Sequence, residues 1–310
     1  MKWTQAKRLL GLASTRRATQ AAAIRADESS PDSLRSGIGA SPRAASLCVA
    51  SGKGGTGKSV VSASLSYLFS LRGRTLILDA DLGVGNAHIL QDLTPTHSLV
   101  DVVEGRLEVG SIVQECGEQL HLLAAGSGVP RMAELNSYEL HLIGSGLREV
   151  EANYRYLVVD SAAGVSTQTV GFAAASDVVL LVTTPDLTAM TDAYAFLKVL
   201  VARCPGARPL LAVNRAHDVE EAEHVAHRIQ DVSNRFLGQR PTWIGWIPDD
   251  PAVVSCVNRR GSVAALEPES PAARALRALA VKLLEEFSRH HPRGVGLRLV
   301  GEMGYSSDIA

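Results

Sequence analysis

The sequence predicts an α/β protein: a doubly wound, mostly parallel sheet with helices on both faces. Three observations carry that reading. From about residue 47 onward, short apolar runs alternate with helical stretches, the pattern of repeated strand–helix units. Several runs are apolar throughout, as in Leu157-Val158-Val159 and Val178-Val179-Leu180-Leu181-Val182, and such strands are buried on both faces. The segments richest in chemistry fall at the carboxyl ends of these runs, where doubly wound sheets hold their ligands.

The elements follow in order. Trp3, Ala6, Leu9, Leu10 and Ala13 recur at helical spacing, so residues 1–12 are expected to form a short amphipathic helix. Residues 13–46 are rich in Ala, Ser, Arg and Gly without a sustained apolar period, and read as a flexible linker. Residues 1–26 carry Lys2, Lys7, Arg8, Arg16, Arg17 and Arg25 and no acid. That composition is shared with organelle transit peptides, but the apolar core of a secretory signal is missing. The folded domain is expected over 47–290, with strands at 47–51, 75–79, 120–124, 156–160, 177–183, 209–214 and 243–247. A helix over 59–71 follows the first strand. The last helix opens at Ser270, a good N-cap, with Pro271 in its first turn. Its stripe of Leu276, Leu279, Ala280, Leu283, Leu284 and Phe287 is expected to dock on the sheet. Glu285 and Glu286 argue against a membrane-surface helix there. Residues 291–310 read as a tail with one apolar cluster at Val295, Leu297, Leu299 and Val300.

Composition narrows the function. Hydrophobic residues make up 46% of the 310 and charged residues 20%, enough for a sizeable core. The formal net charge of −1 gives no general field for nucleic acid or acidic membrane. Cys48, Cys116, Cys204 and Cys256 lie far apart with no C-x-x-C pair, which disfavours a zinc or iron–sulfur site and a disulfide framework. No apolar run approaches the ~20 residues that span a bilayer.

Gly52-Lys53-Gly54-Gly55-Thr56-Gly57-Lys58-Ser59 fits G-x-x-x-x-G-K-[ST] between a strand and a helix, the context a P-loop requires. Glycines let backbone N–H groups approach phosphate oxygens, and the helix that begins beyond them, with Val60 in its first turn, adds its positive end. Lys58 is placed to neutralise β- and γ-phosphates and Ser59 to bind Mg²⁺. Leu78-Asp79-Ala80-Asp81 sets two carboxylates at the end of the second strand, suited to Mg²⁺ and water positioning. Asp160 ends a further apolar strand, as the second Mg²⁺ anchor of P-loop enzymes does. An ordinary P-loop needs no lysine at its second position, so Lys53 is an extra.

The form Lys-Gly-Gly-Thr-Gly-Lys-Ser resembles the deviant loop of the MinD/ParA family of ATPases, and the resemblance covers roughly residues 47–290. It implies ATP and Mg²⁺ as ligands. It also implies that Lys53 reaches the partner's nucleotide across an ATP-dependent homodimer, that Asp81 orients the attacking water, that Asp79 belongs to the metal shell or its support, and that Asp160 holds Mg²⁺ through water. Asn214, ending Leu211-Ala212-Val213-Asn214, would meet adenine's edge. Pro248 and Asp249 would cover the base with backbone. Three stretches are similar to the branch of flagellar number regulators known as FlhG or FleN: residues 126–135 (Gly-Ser-Gly-Val-Pro-Arg-Met-Ala-Glu-Leu), 159–164 (Val-Asp-Ser-Ala-Ala-Gly) and 183–194 (Thr-Thr-Pro-Asp-Leu-Thr-Ala-Met-Thr-Asp-Ala-Tyr). That branch carries an N-terminal D-Q-A-x-x-L-R helix that stimulates the flagellar GTPase FlhF. Here Gln5, Ala6 and Leu9 match, while Thr4 and Leu10 depart. Asn86-Ala87-His88 stands where the family usually has an acid at the third position. The expectation is an ATP-driven dimerisation switch governing flagellar number or placement, cytoplasmic or peripheral at the inner face of the membrane, with FlhF contacted through residues 3–10 and no specific nucleic acid. The alternatives are a MinD-like division-site regulator and a ParA-like segregation ATPase.

Overall fold

The computed structural model describes residues 43–304 other than Ser127. The expected N-terminal helix and most of the linker lie outside the described residues, and with them the contact expected through residues 3–10.

Eight strands form one sheet in the order β3-β4-β2-β5-β1-β6-β7-β8. They are β1 (Ala45–Ser51), β2 (Thr75–Ala80), β3 (Gln114–Gly117), β4 (Leu120–Leu123), β5 (Tyr156–Ala163), β6 (Val178–Thr183), β7 (Leu210–Ala216) and β8 (Thr242–Pro248). Every neighbouring pair is parallel except β3 with β4. All seven expected strands are present. The added one, β3, is a four-residue edge strand whose side chains alternate between half-buried and exposed.

The central strand β1 lies between β5 and β6. The chain runs from β1 to β2 on one side and later crosses to β6 on the other. That reversal opens the crevice in which doubly wound folds bind ligands, and the turn after β1 sits at its mouth.

Alternate residues of each strand point to opposite faces, and two apolar layers result. On one face Leu47, Val49, Val158, Leu180 and Ala212 meet α1 (Lys58–Ser70), α7 (Pro251–Asn258), α8 (Val263–Leu266) and α9 (Pro271–Ser288). On the other, Cys48, Leu78, Val159, Leu181 and Val213 meet α2 (Leu99–Val103), α3 (Ser137–Glu151), α4 (Thr167–Ala175), α5 (Leu187–Arg203) and α6 (Val219–Leu237). The stripe of α9 docks as expected. Leu276, Leu279 and Leu283 are buried, each gaining roughly 2 kcal/mol from leaving water. Phe287 closes an aromatic cluster with Phe69 of α1 and Tyr156 of β5, centroids 5.6 and 5.8 Å away.

Two expected boundaries are corrected. The domain begins before residue 47, because β1 starts at Ala45 and hydrogen-bonds back to Arg155. It also ends well past residue 290. The apolar cluster of the expected tail forms α10 (Val295–Gly304), with Val295 and Leu299 buried in the same core layer as α3. The two helices can cross closely because glycines meet at the crossing. A Cβ on Gly296 would stand 2.3 Å from the Arg148 nitrogen and 2.5 Å from the Gly144 carbonyl. Glu151, the last residue of α3, accepts from the backbone N–H groups of Val295 (3.0 Å) and Gly296 (3.5 Å), groups that the start of a helix otherwise leaves unsatisfied.

Candidate nucleotide site

The loop between β1 and α1 is built on glycines with two distinct tasks. Gly52 rests directly on α5: a Cβ there would lie 2.0 Å from the carbonyl carbon and oxygen of Asp192, so no side chain fits. Gly55 and Gly57 adopt positive φ, 81° and 89°, where a Cβ is strained. Beside Gly54 and Gly55 there is open space. α1 starts from Gly57 with no side-chain cap and no acid in its first turn. By contrast, α3 opens with a capping box between Asn136 and Glu139. The first N–H groups of α1 are thus left for an anion.

Lys58 is buried at the start of this helix, and Thr56 is buried with its hydroxyl unpartnered. Buried polar atoms are normally satisfied, so an orphan hydroxyl in this loop fits a ligand-binding cradle. Asp160 is buried and accepts from the Ser62 hydroxyl at 2.9 Å. Burial pushes its carboxyl up, while hydrogen bonds from Ser59 and Ser62 and the charge of Lys58 pull it back. A second buried carboxylate, Asp79, faces it across the β2–β5 register. Its oxygens accept from the N–H groups of Asp81 (3.2 Å) and Ala87 (3.1 Å). Both ends of the loop after β2 are therefore stapled to one side chain, and burial followed by the charge of Asp160 holds the Asp79 carboxyl well above its usual range. Of the two roles expected for Asp79, this arrangement favours support. Gly85 makes the staple possible, since a Cβ there would stand 2.5 Å from an Asp79 oxygen. Asp81 is half-buried and accepts from the Val84 N–H at 3.3 Å. His88 is half-buried, with its pKa lowered by burial and by Arg260.

Asn214 lies two residues before the end of β7, and its amide donates to the Thr56 carbonyl at 2.7 Å. The residue expected to read a base thus also braces the phosphate loop. Pro248 ends β8, and Asp249 donates from its backbone to Ala216 at 3.0 Å and faces the Arg215 guanidinium at 3.4 Å. Next to them a cavity of about 310 Å³ is lined by Thr184, Pro185, Asp186, Arg215, His217, Glu221 and Asp249. Lys53 is exposed, and its ammonium donates to the Thr188 hydroxyl at 2.6 Å.

The structure therefore gathers Gly52–Ser59, Val60, Asp79, Asp81 and Asp160 at one end of the sheet, with Asn214 on β7, Pro248 at the end of β8 and Asp249 just beyond it, on the far side of β6. Sequence reasoning missed Ser62. Its position three residues after Ser59, on the same helical face, was the available signal. It also missed Thr188, which lies within the stretch 183–194. Cys48 sits beside this cluster, but burial pushes its thiol up to about 12, so it is no nucleophile.

A glycine loop that bares a helix start, a buried lysine and two buried carboxylates on adjacent parallel strands define a P-loop nucleotide-binding protein. The chain belongs to the CobQ/CobB/MinD/ParA nucleotide binding domain family, whose profile matches residues 47–254, and it is a P-loop ATPase of that family. It is 34% identical to the antiactivator FleN of Pseudomonas aeruginosa, over 80% of this chain and 89% of FleN. It is 33% identical to the flagellum site-determining protein YlxH of Helicobacter pylori, over 49% of this chain and 52% of YlxH. Its fold matches that of the septum site-determining protein MinD of Pyrococcus horikoshii complexed with Mg-ADP, with a TM-score of 0.65 and 23% identity over 77% of this chain and 95% of that one. Among the described residues, no helix is long and apolar enough to cross a membrane.

Proposed function

We propose that this chain is an ATP-driven dimerisation switch that regulates flagellar number or placement. Likeness to FleN supports the flagellar assignment. The observation that carries the switch is Lys53. It stands exposed at the rim of a loop that already has a buried lysine, Lys58, so a second cation has no task inside its own pocket. A partner's triphosphate, brought face to face, gives it one, as an in-trans cation does elsewhere.

In this reading the backbone of 52–59 and the start of α1 bind phosphates, and Lys58 balances their charge. Ser59 and Asp160 hold Mg²⁺, with Ser62 fixing the Asp160 carboxylate. Mg²⁺ supplies neutralisation of the charge that develops between the β- and γ-phosphates. Asp79 fixes the loop that carries Asp81, and Asp81 orients the attacking water. Asn214, Pro248 and Asp249 frame the base. Binding closes the dimer and hydrolysis reopens it.

The test is light-scattering mass with ADP and with ATP. Dimer is expected with ATP alone, persistent in Asp81→Ala and lost in Lys53→Ala. A mass that stays monomeric with ATP in the wild type and in Asp81→Ala would sink the switch.

A further inference from the structure

The loops at the amino end of the sheet, opposite the phosphate loop, carry a row of arginines. Arg72 and Arg74 precede β2, Arg155 precedes β5 and Arg43 precedes β1, and these strands are neighbours in the order β2-β5-β1. The Arg155 guanidinium donates to the Arg72 carbonyl at 2.9 Å, and its backbone N–H donates to the Arg74 carbonyl at 2.8 Å. Gly73 makes room for that side chain, since a Cβ there would stand 2.7 Å from the Arg155 Cδ. The Arg43 guanidinium donates to the Arg293 carbonyl at 2.8 Å. Arg74 lies over the Tyr154 ring and Arg155 over the Tyr156 ring, 5.1 and 5.4 Å from the centroids. Carbonyls and rings fix a guanidinium without cancelling its charge. All four arginines are exposed, and among the described residues none of them makes an ion pair. Two carboxyls at this end offset little of that charge: Asp177 is buried and taken by Arg293, and burial pushes Glu151 up to about 7. The exposed Arg259 and Arg260, by contrast, are paired with Glu267 and Asp92.

Like charges held side by side repel and cost stability. The carbonyl end of α1, which closes at Ser70, attracts a cation such as Arg72, but that accounts for one of the four. We infer that this row is a docking surface for the phosphate backbone of a nucleic-acid duplex, bound without regard to base sequence. Guanidinium forks match pairs of phosphate oxygens. Neighbouring strands stand ~4.8 Å apart, so the row spans about 10 Å, roughly the rise of three base pairs. A protein interface or a membrane-surface helix adds apolar anchors, and the row offers few. Tyr154 and Tyr156 are buried beneath the guanidiniums, and Leu71, beside Arg72, is only 36% exposed. With a formal net charge of −1 for the whole chain, attraction to a polyanion is local to this face. The row and the phosphate loop lie at opposite ends of the sheet, so duplex and nucleotide do not compete, and the inference is independent of the dimer switch.

The test is fluorescence anisotropy of a short labelled DNA duplex of arbitrary sequence, titrated with the full chain in the presence of ADP. Micromolar binding is expected at about 50 mM salt, and four phosphate contacts predict a fall of about fiftyfold by about 150 mM. The double variant Arg72→Gln with Arg74→Gln should bind at least tenfold more weakly at the lower salt. Its slope of log affinity against log salt should flatten by about two, with ADP affinity and thermal melting unchanged. Arg259→Gln with Arg260→Gln, a matched loss of charge, should leave duplex affinity within about twofold. A wild type that does not bind the duplex at the lower salt overturns the inference. So does a double variant at Arg72 and Arg74 with unchanged affinity and slope, because the binding then comes from elsewhere, such as the cations of residues 1–26. An equal fall in the Arg259 and Arg260 variant overturns it too, since only general charge is then at work. Vesicles of phosphatidylcholine with phosphatidylglycerol form the second arm. Vesicle binding that the Arg72 and Arg74 variant loses, with no duplex binding in the wild type, assigns the row to a membrane surface and overturns the inference.

Discussion

The two ends of the sheet both bury carboxylates, and they use them differently. At the carboxyl end, Asp160 and Asp79 lie beside Lys58, an orphan Thr56 hydroxyl and the open side of a glycine loop. At the amino end, Asp177 and Glu151 are consumed by the chain itself. Asp177 accepts from Ser46 N–H (3.1 Å), the Ser46 hydroxyl (2.7 Å), Arg293 N–H (3.1 Å) and the Arg293 guanidinium (3.2 Å). Glu151 holds the start of α10. One end leaves polar capacity unspent, as a binding site must. The other satisfies its groups and fastens the C-terminal segment to the sheet.

The comparison can be broken from either end, and four substitutions rank by expected size. Lys58→Ala removes the buried cation of the site. Nucleotide affinity should fall a hundredfold or more, about 3 kcal/mol, by calorimetric titration, with thermal stability little changed. Asp177→Ala strips four donors of a common acceptor. It should cost about 2–3 kcal/mol of unfolding free energy by urea titration, leaving nucleotide affinity intact. If Asp177→Ala instead abolished nucleotide binding, the two ends would not be separable.

Glu151→Gln gives a pH signature. Burial pushes the folded pKa of Glu151 to about 7, against backbone N–H groups that lower it. The raised value means the folded state binds the proton more tightly than the unfolded one. Its stabilising contribution is full below the unfolded pKa of about 4.5 and lost as pH rises through about 7. At pH 8 the wild type therefore carries a penalty of order 2 kcal/mol that Glu151→Gln lacks. The variant should melt higher than wild type at pH 8, and its stability should vary less between pH 5 and 8. A wild type that gains stability across that interval would refute this. The smallest effect is Ser62→Ala, which loosens Asp160 without removing it. The Mg²⁺ concentration for half-maximal ATPase should rise about tenfold, and an unchanged value would show that Ser59 alone orients the carboxylate.

The strands and the P-loop were legible because their signals are local. An apolar run such as 178–182 is buried wherever parallel sheets form, and Gly52–Ser59 encodes its own turn and anion site. What escaped was set by partners far away in sequence. β3 is four residues long and half exposed, so it exists only because β4 offers a ladder. Val295, Leu297, Leu299 and Val300 are too short and glycine-interrupted a cluster to declare a packed helix. α10 is fixed by Gly144 and Glu151, about 150 residues earlier.

The sequence alone thus determined the fold class, the phosphate loop and the acids that face it, since backbone freedom, burial on two faces and strand-end placement are written in consecutive residues. Tertiary structure decided what those groups do to one another: Asp79 stapling the Asp81 loop, Asn214 bracing Thr56, and Lys53 seated on Thr188. These hydrogen bonds either span the short loop after β2 or join segments more than a hundred residues apart, and the long-range ones exist only once the sheet has brought the strand ends together.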